Sequence, residues 1–282
     1  MPELGENRYG KQAIRLVKVD RRRDRHRVRD LTVGVALEGD FAAAHLDGDN
    51  TLVVATDTMK NTVYALAADH LDGAIEAYGI VVATHFLGFS QVRRATVTIR
   101  EHAWMPLAGP DGGSAPDAFQ RSGAATRTAT VVATAEGTSV ESGVEDLVVM
   151  KTTRSAFSGF DRDRYTTLAE VRDRLMATSV TATWRHGRPA EDWDASHAAV
   201  TATLLEVFAG HFSESVQQSI WLMGSAMLER HEGLDEVRMV LPNLHHWPAD
   251  VGRLGVEDRG ELFVATTEPH GLIEATVHRS SA

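Results

Sequence analysis

An α+β protein built from one unit used twice is the fold class this sequence predicts. Three observations lead there. Strand-like alternation opens each half, helical periodicity follows it, and strand-like segments return afterwards. The duplication divides the chain into expected domains at residues 1–139 and 140–282.

Leu31, Val33, Val35 and Leu37 share one face of a period-two pattern, and "AIRLVKV" (13–19) precedes them as a second strand. Between them runs "RRRDRHRVRD", basic but interrupted by Asp24 and Asp30, with Asp20 just before it. It reads as a solvated hairpin loop rather than a nucleic-acid patch. After "LVVATD", Ile75, Tyr78, Val82, Phe86 and Phe89 recur on one helical face. "ATVTIREHAW" (95–104) and "TRTATVVATAEG" (126–137) read as strands, and the Gly/Pro-rich "LAGPDGGSAPD" between them as an exposed loop.

The second half repeats the order. "VEDLVVMKTT" (144–153) and "TSVTATWRH" (178–186) are strand-like. One helix is expected with Val200, Leu204, Val207 and Phe208 inward, and a second with Val216, Ile220, Met223 and Met227 inward. "EVRMVLP" and "GELFVATTEP" close the unit as strands.

Composition narrows the function. The 282 residues suffice for two modest domains, and they are 43% hydrophobic and 24% charged, as in ordinary globular proteins. Lys and Arg total 29 against 39 Asp and Glu, a net charge of −10 that disfavours nucleic-acid binding. No apolar run approaches the roughly 18 residues of a membrane span, and the N-terminus carries no secretory signal. Cysteine is absent, which excludes disulfides, thiolate catalysis and Cys-ligated metal, and a cytoplasmic protein is expected.

Several short segments carry possible chemistry. In "ATDTMKNT" (55–62), Thr56, Asp57 and Thr58 open a helix, where Ser, Thr and Asp often cap free N–H groups. Lys60 and Asn61 would then face solvent. In "LPNLHHW" (241–247), an extended chain puts Asn243 and His245 on one side about 7 Å apart, with His246 opposite. Neighbouring histidines on opposite faces do not chelate one metal, whereas a His beside an Asn suits proton transfer or a hydrogen bond within a sheet. Phe157 can stack on a planar heterocycle and Arg174 can grip one with paired hydrogen bonds. Taken singly, the ring fits a core position and the guanidinium a surface ion pair. Gln217 in "SVQQ" offers an amide that both donates and accepts. No phosphate loop, dinucleotide fingerprint or GxSxG elbow is present.

In combination the signals sharpen. "RYGK", "ATDTMKNT", "FSGFDRDRYTTL", "DRLMATSVTATW", "SESVQQ", "LPNLHH" and "GLIEAT" occur in this order, and the sequence resembles the urate oxidase (uricase) family from about Asn7 to Arg279. The resemblance implies tandem T-fold (tunnelling fold) domains, each an antiparallel sheet with helices on one face. It also implies a homotetramer in which subunit pairs close barrels, with active sites at subunit interfaces. The implied reaction is oxidation of urate by dioxygen and water to 5-hydroxyisourate and hydrogen peroxide, with no metal or organic cofactor.

By motif, Lys11, Thr56 and His245 are the implied proton relay. Phe157 would stack on the purine, Arg174 and Gln217 would grip its edge, and Val216 would add backbone contacts. Asn243 with Thr56 would hold water or dioxygen above the ring. Lys11, Thr56 and Asp57 would come from one subunit and the remaining residues from its neighbour. A relay fits because urate is already an electron-rich anion, so a redox metal is not essential if a second proton can be removed, and threonine can pass a proton between lysine and substrate. The same Thr56–Asp57 pair could cap the helix and meet the substrate. Leu244 departs from the lysine common at that place in the family, and the chain ends at "HRSSA" without a Ser-Lys-Leu address, which favours cytoplasmic residence. The alternative reading is a purine- or pterin-binding T-fold protein without oxidase turnover.

Overall fold

The computed structural model describes residues 2–22, 24–109, 112–123 and 125–280. The chain forms two compact units, Met1–Gly143 with Arg185–Ser196, and Val144–Trp184 with His197–Ala282.

The first unit begins with β1 (Tyr9–Asp20), β2 (Arg27–Gly39), a short α1 (Ala42–Leu46), α2 (Thr56–His70) and α3 (Ile75–Leu87). It continues through β3 (Val92–Glu101), β4 (Trp104–Ala108), β5 (Ser114–Arg121), β6 (Thr126–Thr134) and the first part of β7 (Gly137–Lys151). The strands order as β1-β2-β3-β6-β7, and β4 and β5 form a separate antiparallel ribbon. β1–β2, β2–β3 and β3–β6 are all antiparallel ladders.

Alternation along β2 buries Leu31, Val33, Val35 and Leu37 completely, and α3 lays its buried Ile75, Tyr78, Val82 and Phe86 in the same core. Removing side chains of this size from water stabilises by about 1.5–3 kcal/mol each. Phe89 lies beyond the end of α3 and packs on the core only in part. Gly79 lets α3 approach the sheet, since a Cβ there would sit 2.8 Å from Val131 Cγ2 and 3.3 Å from Ile99 Cδ1. Gly79→Ala should therefore lower the melting temperature. Overpacking costs about 1–3 kcal/mol, and alanine's helix preference recovers only about 1 of that. A raised melting temperature would show that the helix moves away freely.

Two loop expectations give way to strand. Arg27 to Asp30 belong to β2, with Arg29 and Asp30 both buried. Ion pairs make that burial tolerable: Arg29 Nε lies 2.9 Å from Glu101, and Asp30 takes Arg15 and, at 3.0 Å, Trp104 Nε1. Only the preceding residues form the turn, of which Arg23 lies outside the described residues. Similarly, Leu107 and Ala108 end β4 while Ser114 to Asp117 start β5. Pro110 and Asp111 of that expected loop lie outside the described residues.

A buried ionic cluster attaches segment 185–196 to this unit. Glu76 is fully buried and accepts from Arg127 Nη2 at 2.7 Å and Ser142 Oγ at 2.7 Å, while Arg127 Nη1 reaches Asp194 at 2.6 Å. The paired charges offset the desolvation that an isolated Glu76 would suffer.

The second unit contains the rest of β7, most of β8 (Met176–His186) and α4 (Trp193–Gly210), then α5 (Val216–Arg230) and β9 (Leu234–Pro248). After a 3-10 turn (Val251–Leu254) come β10 (Phe263–Thr266) and β11 (Leu272–His278). The strands run β7-β8-β9, and both β10 and β11 pair antiparallel with β9. Val216, Ile220, Met223 and Met227 of α5 are buried as expected. On α4, Thr203 joins Val200, Leu204 and Phe208 in the interior, while Val207 is only half-buried. Gly224 repeats the role of Gly79, because a Cβ there would lie 2.7 Å from Val277 Cγ2 of β11. "GELFVATTEP" yields only the short β10, and "GLIEATVH" supplies the long closing strand. Among the described residues, no helix is long and apolar enough to cross a membrane.

Candidate active site

The expected site residues fall into two groups. Lys11, Thr56 and Asp57 belong to the first unit; Phe157, Arg174, Val216, Gln217, Asn243 and His245 belong to the second.

In the first group, the local sequence brings Lys11 towards the start of α2. The Tyr9 hydroxyl receives the Val54 N–H at 2.8 Å and lies 3.2 Å from the Val54 carbonyl, joining β1 to the segment that leads into α2. Gly10 is required by close strand approach, since a Cβ there would be 1.9 Å from the Val35 carbonyl oxygen. Immediately after Lys11 the register of β1 against β2 shifts, and Ala13 takes φ +56°. Such bulges re-aim side chains beside functional sites.

Thr56 and Asp57 do not cap α2. The cap position is Ala55, which has no side-chain bond, so both residues are already inside the first turn. Asp57 instead holds Lys60, and Asn61 Nδ2 donates to it at 3.0 Å. Lys60 and Asn61 are therefore engaged rather than simply solvated. The Lys60 hydrogen bond and charge, then the Asn61 hydrogen bond and, more weakly, the charge of Lys11 keep the Asp57 carboxyl below its usual range.

The second group lines one cleft of about 490 Å³. Phe157 is fixed by reciprocal backbone bonds with Val171, 2.8 and 3.0 Å, and its ring stacks on Phe160 at 5.0 Å and 14°. It is half-buried at the cleft wall, not in the core. Arg174 makes no ion pair among the described residues. Its guanidinium lies 5.4 Å from the Phe157 ring centre, and its Nε is buried with no partner among them. Burial lowers its pKa, yet a guanidinium remains charged. An unpaired buried donor on a cation is costly unless a ligand accepts from it.

Val216 and Gln217 are the first two residues of α5, behind an N-cap at Ser215 whose side chain accepts from Gln218 N–H at 3.2 Å. First-turn N–H groups have no partner within their own helix and favour negative charge. The cleft thus presents a fixed cation, an amide side chain and a helix N-terminus, a set suited to a flat anion with several acceptor atoms.

Asn243 and His245 stand where β9 changes partner, from β11 up to Pro242 to β10 from His245 onwards. The Asn243 N–H donates to the Gly271 carbonyl at 2.8 Å. Because of this exchange all of residues 243–248 reach the cleft wall, so His246 is not excluded from it as simple alternation predicts. The His246 Nδ1 is engaged with the Leu244 carbonyl at 2.9 Å. The His245 ring stacks on Trp247 at 5.2 Å and 21°. Burial, followed by the charges of Arg174, His270 and His246, pushes its pKa down.

His245 is consequently neutral at neutral pH and able to accept a proton. A histidine titration followed by NMR should place its midpoint below the usual value of about 6.5. An activity step needing neutral His245 would then fail only as pH drops through that lowered value. A midpoint at or above the usual value would contradict this environment.

Tyr9, Phe160 and Trp247 were not identified from sequence as supports of the site. Tyr9 and Phe160 lie inside the "RYGK" and "FSGF" motifs, which was the signal available.

The uricase family model matches residues 7–132 and 140–274. The chain belongs to the uricase family. A uricase of Arthrobacter globiformis is 42% identical over 99% of this chain and 91% of the relative. One of Dictyostelium discoideum is 37% identical over 99% of both chains. The crystal structure of the Arthrobacter globiformis uricase superposes with a TM-score of 0.94 at 41% identity, covering 100% of this chain and 96% of that one. Uricase-family membership makes the chain an oxidoreductase that acts on urate, and disfavours a binding module without turnover.

Proposed function

We propose that the chain oxidises urate with dioxygen and water to 5-hydroxyisourate and hydrogen peroxide at this cleft, without metal or organic cofactor. The observation that carries the proposal is the cleft's pairing of Arg174, whose buried Nε lacks a partner among the described residues, with the N-terminus of α5. Urate is a planar anion rich in carbonyl and ring-nitrogen acceptors, and those donors match it.

In this reading urate stacks on Phe157 and is held by Arg174, Gln217 and the Val216 backbone. Asn243 and Thr56 hold water or dioxygen beside it, and Lys11, Thr56 and His245 move protons. Lys11, Thr56 and Asp57 come from one subunit and the cleft from its neighbour, so the site needs an oligomer. The arrangement proposed is tandem T-fold domains, 1–139 and 140–282, closing barrels in a cytoplasmic homotetramer. Likeness to uricases over nearly the whole chain supports it.

Purified, chelator-treated protein should consume urate, followed by its absorbance, and release peroxide. Activity that vanishes with chelator and returns with zinc, copper or iron would overturn the cofactor-free reading. Turnover of a dihydropterin in place of urate would overturn the substrate.

A further inference from the structure

Two halves of the proposed urate clamp sit on different elements: Arg174 and Phe157 beside segment 154–157, Val216 and Gln217 at the start of α5. Something must hold them in register. The backbone supplies part of the link. Arg174 N–H donates to the Ser155 carbonyl at 2.8 Å, Ala156 N–H to the Ser213 carbonyl at 2.7 Å, and Ser213 N–H to the Arg154 carbonyl at 3.0 Å.

The rest is a chain of buried side chains. Ser213 and Ser219 are 0% and 1% exposed, and their hydroxyls are 2.8 Å apart. Ser219 Oγ is 2.8 Å from His211 Nε2, and His211 Nδ1 is 2.6 Å from the Val207 carbonyl. A carbonyl only accepts, so Nδ1 carries the proton and donates. In the neutral ring Nε2 then accepts from the Ser219 hydroxyl, which leaves Ser219 Oγ free to accept from Ser213. Both hydroxyls also lie near the Ser215 carbonyl, Ser213 Oγ at 3.1 Å and Ser219 Oγ at 3.2 Å, which ties the chain to the N-cap residue of α5. Burial, with the nearby charges of Lys151 and Arg154, favours the neutral ring this order requires. Lys151 secures the near end by donating to the His211 carbonyl at 2.8 Å.

We propose that His211, Ser219 and Ser213 are positioning residues for urate, holding the first turn of α5 in register with Arg174 and Phe157. They touch no substrate. Their effect is on how well the two groups of donors converge on one ligand, and a small misplacement of such donors is costly. The inference rests on the clamp assignment in the preceding subsection.

The experiment compares wild type, Ser219→Ala, His211→Ala, His211→Gln and Arg174→Ala. The measurements are affinity for an unreactive purine analogue, KM and kcat for urate, and melting temperature. Ser219→Ala deletes one oxygen on a helix interior and should fold. It should weaken analogue binding and raise KM on the order of three- to tenfold, with a smaller change in kcat. His211→Gln, which keeps a donor and an acceptor, should recover part of what His211→Ala loses. Unchanged analogue affinity in Ser219→Ala, or a fall in melting temperature with no change in affinity, would overturn the positioning role while Arg174→Ala still weakens binding. If Arg174→Ala itself leaves analogue affinity intact, the clamp assignment fails first.

Discussion

Lys11→Met should fold, bind purine nearly normally and turn urate over about 10²–10⁴ times more slowly, the range typical of general acid–base groups. Methionine keeps much of the length and bulk of lysine while deleting the amine. Lys11 is only half-buried, so its loss leaves no large cavity, and the β1–β2 ladder around it is backbone-bonded. Tyr9, Gly10 and the bulge after Lys11 maintain the approach of this strand to α2 whatever side chain stands at position 11. The loss should appear in kcat, because the ligand-gripping residues belong to the cleft of the second unit. The pH–rate profile should change as well, since the proposed relay loses one of its members. Near-normal turnover with an unchanged profile would leave Lys11 as a structural cation.

Arg174→Ala should weaken urate and an unreactive purine analogue alike. A hydrogen bond to a charged group is worth about 1.5–3 kcal/mol, or about 10- to 150-fold in affinity. The equal effect on both ligands is the distinguishing feature, since the guanidinium grips ligand before any chemistry. Stability should change little or rise, because the substitution removes a partly buried charge whose Nε has no partner among the described residues. A loss of stability with analogue affinity preserved would make Arg174 a structural residue.

Periodicity exposed the helices and long strands because burial there follows one geometric rule, as in β2 and α3. It failed where charge pairing replaced apolar packing. The "RVRD" end of the basic run enters the sheet because Glu101 and Arg15 compensate Arg29 and Asp30, partners remote in sequence. Glu76, in the first turn of α3, is likewise buried against Arg127 and Ser142. Thr56–Asp57 has capping composition, but the helix begins one residue earlier and Asp57 turns to Lys60 and Asn61. Motif order pointed to Phe157, Arg174, Val216, Gln217, Asn243 and His245, and the fold gathers these on one cleft. Phe160, Trp247 and Ser213 stand inside quoted motifs, but their ring-stacking and hydroxyl contacts, like those of His211 and Ser219, leave no periodic trace that would give them a role.

In the site proposed above, the first unit's Lys11–Thr56–Asp57 group and the second unit's cleft complete each other across a subunit interface. Thr56→Ala protein and Arg174→Ala protein, each assayed at a urate concentration that leaves it with little activity, then dissociated, mixed and reassociated, test it directly. Hybrid oligomers would contain some sites with both groups intact, so urate oxidation should reappear on mixing. Demonstrated subunit exchange without any recovery of activity would contradict a shared site.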